Sequence, residues 1–131
     1  MKYILMMQFP LSDWRNFRME LWPKEDVDAH MAHLTTLNEE IVASGERVDV
    51  RGLAGPESAV FVNARSDGTP QVSDGPFAEV KEFLAGYLIV DVETPQRAYE
   101  IAARWSAAPG PAGNPQNLPV EVRPVMTHKP G

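Results

Sequence analysis

An α+β sandwich, with two helices on one face of a mainly antiparallel sheet, is the fold the sequence predicts. Two segments, Lys24 to Ser44 and Thr94 to Trp105, repeat apolar residues at helical spacing. Short apolar runs bounded by Gly, Pro or Asp read as strands. The two kinds follow one another as strand, helix, strands, strand, helix, strand, with no internal repeat. That succession is the ferredoxin-like arrangement.

Each element has its own justification. Lys2 to Phe9 is a near-continuous apolar run, the pattern of a strand covered on both faces. Its apolar core is far shorter than the roughly 20 residues of a membrane span, and too short for a signal peptide. Leu11 to Trp22 has aromatic residues but no clean period and reads as a long loop. Pro23 then opens a helix, with Glu25, Asp26 and Asp28 near the positive end of its dipole and Gly45 as its stop. Val27, His30, Met31, Leu34, Leu37, Asn38 and Ile41 share one stripe of that helix. Arg47 to Leu53 is a short strand ending at the Gly55-Pro56 turn, and Ala59 to Ala64 is another, with Gln71 to Ser73 pairing back across Asp67-Gly68. Ser73 to Phe77 is a dense turn signal. Phe83 to Val92 is the strongest strand, and Gly86 within it marks a bulge or a close backbone approach. Thr94 caps the second helix, Pro95 is its first residue, and Ala98, Ile101, Ala102 and Trp105 form its buried stripe. Ala107 to Pro119, with four prolines and two glycines, is an extended surface loop, and Val120 to Met126 closes the fold as an edge strand because of Pro124.

Composition bounds the function. The 131 residues make one domain, 1–131, with net charge −6, 44% hydrophobic residues and no cysteine. Without cysteine there is no thiolate nucleophile, disulfide scaffold or zinc ribbon. The acidic balance argues against nucleic acid as a partner, since such surfaces carry a basic excess. The expected location is cytoplasmic, with no membrane partner. Burial adds a partner of another kind. Two helices cover one face of the sheet, yet the strands at Tyr3 to Phe9, Ala59 to Ala64 and Phe83 to Val92 are apolar on both. A second copy of the sheet is the simplest cover, so a homodimer is expected.

Asp74-Gly75-Pro76-Phe77-Ala78-Glu79, followed by Lys81-Glu82, Ala85-Gly86-Tyr87 and Val90-Asp91-Val92, resembles the signature of the DGPF, or YCII-related, family. The similarity extends to Met1-Lys2-Tyr3, Leu37-Asn38-Glu39-Glu40, Gly52-Leu53, Arg97-Ala98 and Val120 to Val125, nearly the whole chain. The resemblance implies a dimeric α+β barrel, two ferredoxin-like units joined sheet to sheet. It also implies kinship with small dimers that include isomerase-like and dehydrochlorinase-type enzymes. Some relatives are thought to use a His and an Asp in a cleft, and His30 matches the family's helix histidine.

His30 and Asp74 are therefore the candidate catalytic residues. A neutral imidazole beside a carboxylate titrates near neutral pH and moves a proton. The plainer alternative for His30 is a half-buried ring satisfied by a backbone carbonyl. For Asp74 the plainer alternative is an aspartate whose carboxylate accepts amide hydrogen bonds and fixes the turn. His33, about 60° further round the helix, is the second candidate, with a solvated surface histidine as its plain reading. Glu79, Lys81, Tyr87 and Trp14 are candidate binding residues at the rim and wall of a pocket. His30 and His33 at i, i+3 lack the HExxH pattern and an acidic partner, so no metal is expected, and no cofactor or phosphate-loop motif is present. Two functions follow: a small acid–base lyase, isomerase or hydrolase acting on a compact organic substrate, or a non-catalytic dimer that binds a small ligand or regulates a partner.

Overall fold

The computed structural model describes residues 1–75 and 81–127, apart from the side chains of Arg15 and Asn16. Among them are strands β1 (Lys2–Pro10), β2 (Arg47–Gly52), β3 (Val60–Ala64), β4 (Pro70–Asp74), β5 (Glu82–Asp91) and β6 (Val120–Pro124). The helices are α1 (Trp14–Phe17), α2 (Lys24–Ala43) and α3 (Pro95–Ser106). Four strands form one sheet in the order β2-β5-β1-β6, every neighbouring pair antiparallel. This is the ferredoxin-like sandwich the sequence predicts, and β6 lies at the sheet edge as Pro124 requires.

The helices begin and end where local chemistry allows. Glu25 and Asp26 lie in the first turn of α2, and Gly45, at φ +78°, ends it in a conformation that costs a glycine little. Thr94 Oγ1 accepts from the Arg97 amide at 3.3 Å, and Pro95 opens α3. Arg97 then donates from Nε and Nη2 to the two carboxylate oxygens of Glu46, at 2.8 and 2.9 Å, tying α3 to the turn between α2 and β2. That pairing holds the Glu46 carboxyl below its ordinary range.

Strand alternation divides the sheet into two faces. Tyr3, Leu5 and Met7 of β1 are buried under the helices with Leu88 and Val90 of β5, against Leu37 and Ile41 of α2 and Ala98, Ile101 and Ala102 of α3. Ile4, Met6 and Ile89 point the other way and are half-buried. The register slips once between β1 and β5. Met7 pairs with Gly86 but Gln8 pairs with Leu84, which leaves Ala85 as an extra residue. The bulge expected at Gly86 is therefore present. A Cβ on Gly86 would stand 2.8 Å from the Arg51 carbonyl oxygen, so the close approach is real as well.

Two expectations are corrected. The segment Ala59 to Ala64 does not join the main sheet: among the described residues β3 pairs only with β4, in the hairpin expected across Asp67-Gly68, where Gly68 has φ +87°. A partner ten residues away costs little loop-closure entropy, and this local pairing prevails. The apolar outer face of the main sheet is thus formed by β1 and β5. The loop after α3 is also more than a surface connection. Ala108 and Leu118 are buried, Ser106 Oγ donates to the Leu118 carbonyl at 2.6 Å, and the Ala112 amide donates to Asp26 Oδ2 of α2 at 3.0 Å. Among the described residues no helix is long and apolar enough to cross a membrane.

Candidate functional site

A cavity of about 430 Å³ opens between α2 and the bulged end of the sheet. Its position follows from the sequence around it. The bulge turns Phe83 to face Phe9, and the chain between β1 and α2 folds back as short helical turns that bring further rings over the gap. The wall is aromatic: Phe9, Trp14, Phe17, Trp22, Phe83 and Trp105. Phe9 and Phe17 stack with centroids 4.7 Å apart, and Phe83 meets Trp14 edge-on at 4.9 Å. Gly55 leaves room for the Trp14 indole, since a Cβ there would come within 2.5 Å of its ring.

His30 enters this cavity from α2 on the same stripe as Leu34, Leu37, Asn38 and Ile41. Its Nδ1 lies 2.9 Å from the carbonyl oxygen of Pro109. A carbonyl can only accept, so Nδ1 carries the proton and Nε2 of the neutral ring holds a lone pair. Nε2 has no hydrogen-bond partner among the described residues, and no side-chain nitrogen or oxygen there is both buried and unpartnered, so Nε2 is open to the cavity. Trp22 packs edge-on against the ring, centroids 5.5 Å apart. Burial pushes the His30 pKa below its ordinary value; the Pro109 bond opposes the shift and the nearby His33 adds to it. The imidazole at neutral pH is therefore the uncharged base.

The other candidates fall in different places. Trp14 and Tyr87 line the cavity, although the Tyr87 hydroxyl donates to Asp49 Oδ2 at 3.1 Å on the opposite sheet face, a bond that raises its pKa. His33 is not a solvated surface residue. It is half-buried, and its Nε2–H donates to the Arg104 carbonyl at 2.6 Å, pinning α2 to the last turn of α3. Asp74 ends β4, exposed, and is not among the residues lining the cavity. Among the described residues no hydrogen bond joins it to His30; the carbonyl of Pro109 holds the imidazole instead. Nor does its carboxylate fix the turn by accepting amide bonds among those residues. Gly75 does the local work, its amide donating to the Ala59 carbonyl at 3.0 Å while the Phe61 ring occupies the space a side chain would need. Lys81 is exposed outside the cavity, its carbonyl accepting from the Leu11 amide at 2.8 Å. Glu79 lies outside the described residues, as does His128 in the tail.

Sequence reasoning missed three contributors. Pro109 and Gln116 come from the proline-rich loop, and no pattern in the chain connects either with α2. Asn38 was legible as a member of the His30 stripe, two helical turns on, but carried no chemical signal of its own. Among the described residues no three His, Cys, Asp or Glu side chains are grouped so as to hold a metal ion.

A ferredoxin-like sheet with two long helices on one face, and an aromatic-walled cavity carrying one helix histidine, defines the class: a small α+β sandwich protein with its pocket at one end of the helix–sheet interface. Within that class the chain belongs to the YCII-related domain family, whose model matches residues 1–113. An uncharacterized protein of Rhizobium meliloti (strain 1021) is 34% identical over 110 residues, 84% of either chain.

Proposed function

We propose that this YCII-family protein binds a compact organic molecule in the aromatic cavity and moves a proton on it, as a lyase, isomerase or hydrolase, with His30 Nε2 as the base. One observation carries the reading: Nδ1–H is held by the Pro109 carbonyl, which leaves the Nε2 lone pair of a cavity-lining histidine without a partner among the described residues. A carbonyl fixes the tautomer and ring orientation as a carboxylate would, without adding charge that stabilises the imidazolium. The base is therefore weak but uncharged at neutral pH, suited to accepting a proton from an activated C–H or O–H and returning it. The chemistry is written without Asp74, which does not line the cavity.

The test is proton exchange. Neutral enolisable lactones and cyclic diketones in D2O should lose C–H signal faster with the wild-type protein than with His30→Gln, at equal folded concentration. Equal exchange rates sink the catalytic reading, and binding without exchange supports a non-catalytic ligand-binding protein.

A homodimer is part of the same proposal. The outer sheet face carries half-buried Ile4, Met6 and Ile89 with no helix over them among the described residues, and Ile4 lies between Ile89 and Arg123 in the register. Charges of both signs, Asp49 and Arg51 at one edge and Glu121 and Arg123 at the other, suit a face that meets its own copy. Light scattering should give twice the chain mass, and Ile89→Glu should give the monomer; a monomeric wild type rules the dimer out. The cytoplasmic location expected from the sequence belongs with this proposal.

A further inference from the structure

The polar groups of the cavity are too few and too specific to be indifferent to what enters. Four charged side chains line it, Arg18, Glu20, Arg51 and Glu57, and their formal charges cancel. Both cations are already engaged: Arg18 Nε is 2.8 Å from Glu20 Oε1, and Arg51 Nη1 is 3.1 Å from Asp49 Oδ1. With His30 uncharged and each arginine paired with a carboxylate, no unpaired positive charge lines the cavity among the described residues to offset the desolvation of an anionic ligand. What remains is neutral hydrogen-bonding capacity. Asn38 and Gln116 are half-buried and line the cavity, and neither side-chain amide has a hydrogen bond among the described residues; Gln116 stands at the His30 end, its backbone amide donating to the Ala108 carbonyl next to Pro109, which leaves Asn38 as the neutral polar group further along α2.

The helix fixes the distance between His30 and Asn38. Eight residues at about 1.5 Å rise each place Asn38 about 12 Å along α2 from His30. Leu34 stands midway, one turn from each, and it too lines the cavity. From Leu34 and the facing rings follows an apolar, flat middle; from His30 Nε2 an acceptor at one end; from the Asn38 amide a paired donor and acceptor at the other.

We infer that Asn38 is a specificity-determining residue of this site, and that the ligand is a neutral, flat, elongated molecule. It presents a hydroxyl or N–H to His30 at one end and an amide-like or carbonyl group to Asn38 at the other. The inference rests on the cavity and the open His30 Nε2 described above, and it adds charge, length and a second polar end to the ligand.

Calorimetric titration of the whole chain with four probes tests it: 6-hydroxy-2-naphthamide, its carboxylate analogue 6-hydroxy-2-naphthoate, 6-methoxy-2-naphthamide and 2-naphthol. The hydroxy-amide should bind tightest. The carboxylate, with the same shape, should bind at least about tenfold more weakly because its charge is not compensated. Asn38→Leu should lose about tenfold for the hydroxy-amide, a group left unsatisfied, and nothing for 2-naphthol, which does not reach it. Asn38→Gln, which keeps the amide, should recover part of the loss and guards against a folding defect in the leucine variant. Failure to bind the hydroxy-amide overturns the inference. So does a carboxylate that binds as well as the amide, or an Asn38→Leu variant that weakens all probes equally or none. The His30 reading fails separately: His30→Gln would then leave 2-naphthol affinity, and the advantage of hydroxyl over methoxy, unchanged.

Discussion

The two ends of the helix–sheet interface are built from the same strands and the same helix, yet one is solid and the other hollow. At the solid end Leu5, Val90 and Ile101 are exposed by 1% or less, and α3 lies across the sheet. Branched aliphatic side chains there interdigitate at the density of a crystal. At the hollow end, beyond the bulge at Ala85, only Trp105 at the end of α3 reaches the cavity, and the wall is made of large flat rings, Phe9 and Phe83 from the strands and Trp14, Phe17 and Trp22 from the chain between β1 and α2. Rings packed edge to face leave gaps that aliphatic chains would fill. Stability thus resides at one end and a site at the other, with a single bulge between them.

The sharpest break of that contrast is a cavity cut into the solid end. Ile101→Ala should cost about 2–5 kcal/mol, because a fully buried side chain is removed and its neighbours cannot close the gap. Leu34→Ala, at the hollow end, should cost less than half as much, since part of the leucine already faces open space. Urea midpoints of the two variants measure the difference. Equal losses would mean that the hollow end closes in solution.

Next comes the divider. Gly86→Ala places a methyl 2.8 Å from the Arg51 carbonyl oxygen, backbone that cannot step aside without moving β2. A loss of about 1–3 kcal/mol is expected, typical of overpacking. Ligand affinity should fall with it, since Gly86 and Arg51 both line the cavity. Thermal melts with and without a bound probe separate the two effects.

The solid end was legible from the sequence and the hollow end only in part. Long periodic segments, such as the stripe from His30 to Ile41 and the run Phe83 to Val92, specify their faces by repeat alone. The short strand at Ala59 to Ala64 has no such redundancy: the turn at Asp67-Gly68 revealed its hairpin with β4, but its apolar residues did not reveal that this hairpin stands apart from the main sheet. Asp74 stood out because it begins a conspicuous motif, but it does not line the cavity. The partner of His30 is 79 residues away, a carbonyl that any residue at that position would present. A backbone group carries no side-chain signature, so only the folded loop identifies it.

The smallest effects separate two histidines one helical turn apart. His33 holds α2 to the end of α3, so His33→Leu should cost about 1 kcal/mol, the net value of one such hydrogen bond, and leave ligand binding unchanged. His30 should show itself through pH. Its folded pKa is depressed by burial, so the unfolded chain takes up a proton first as the solution is acidified. The stability it contributes is complete above the ordinary histidine pKa of about 6.5 and is lost as pH falls through the lower folded value. In His30→Gln that component of the pH dependence should vanish, so the unfolding free energy of the wild type minus that of the variant should fall smoothly as pH drops below about 6.5. Urea unfolding across that range measures it. A difference that stays flat would mean that His30 accepts its proton in the folded state as readily as in the unfolded one, and so is solvated rather than buried; the hollow end would then be open water, and its histidine no special base.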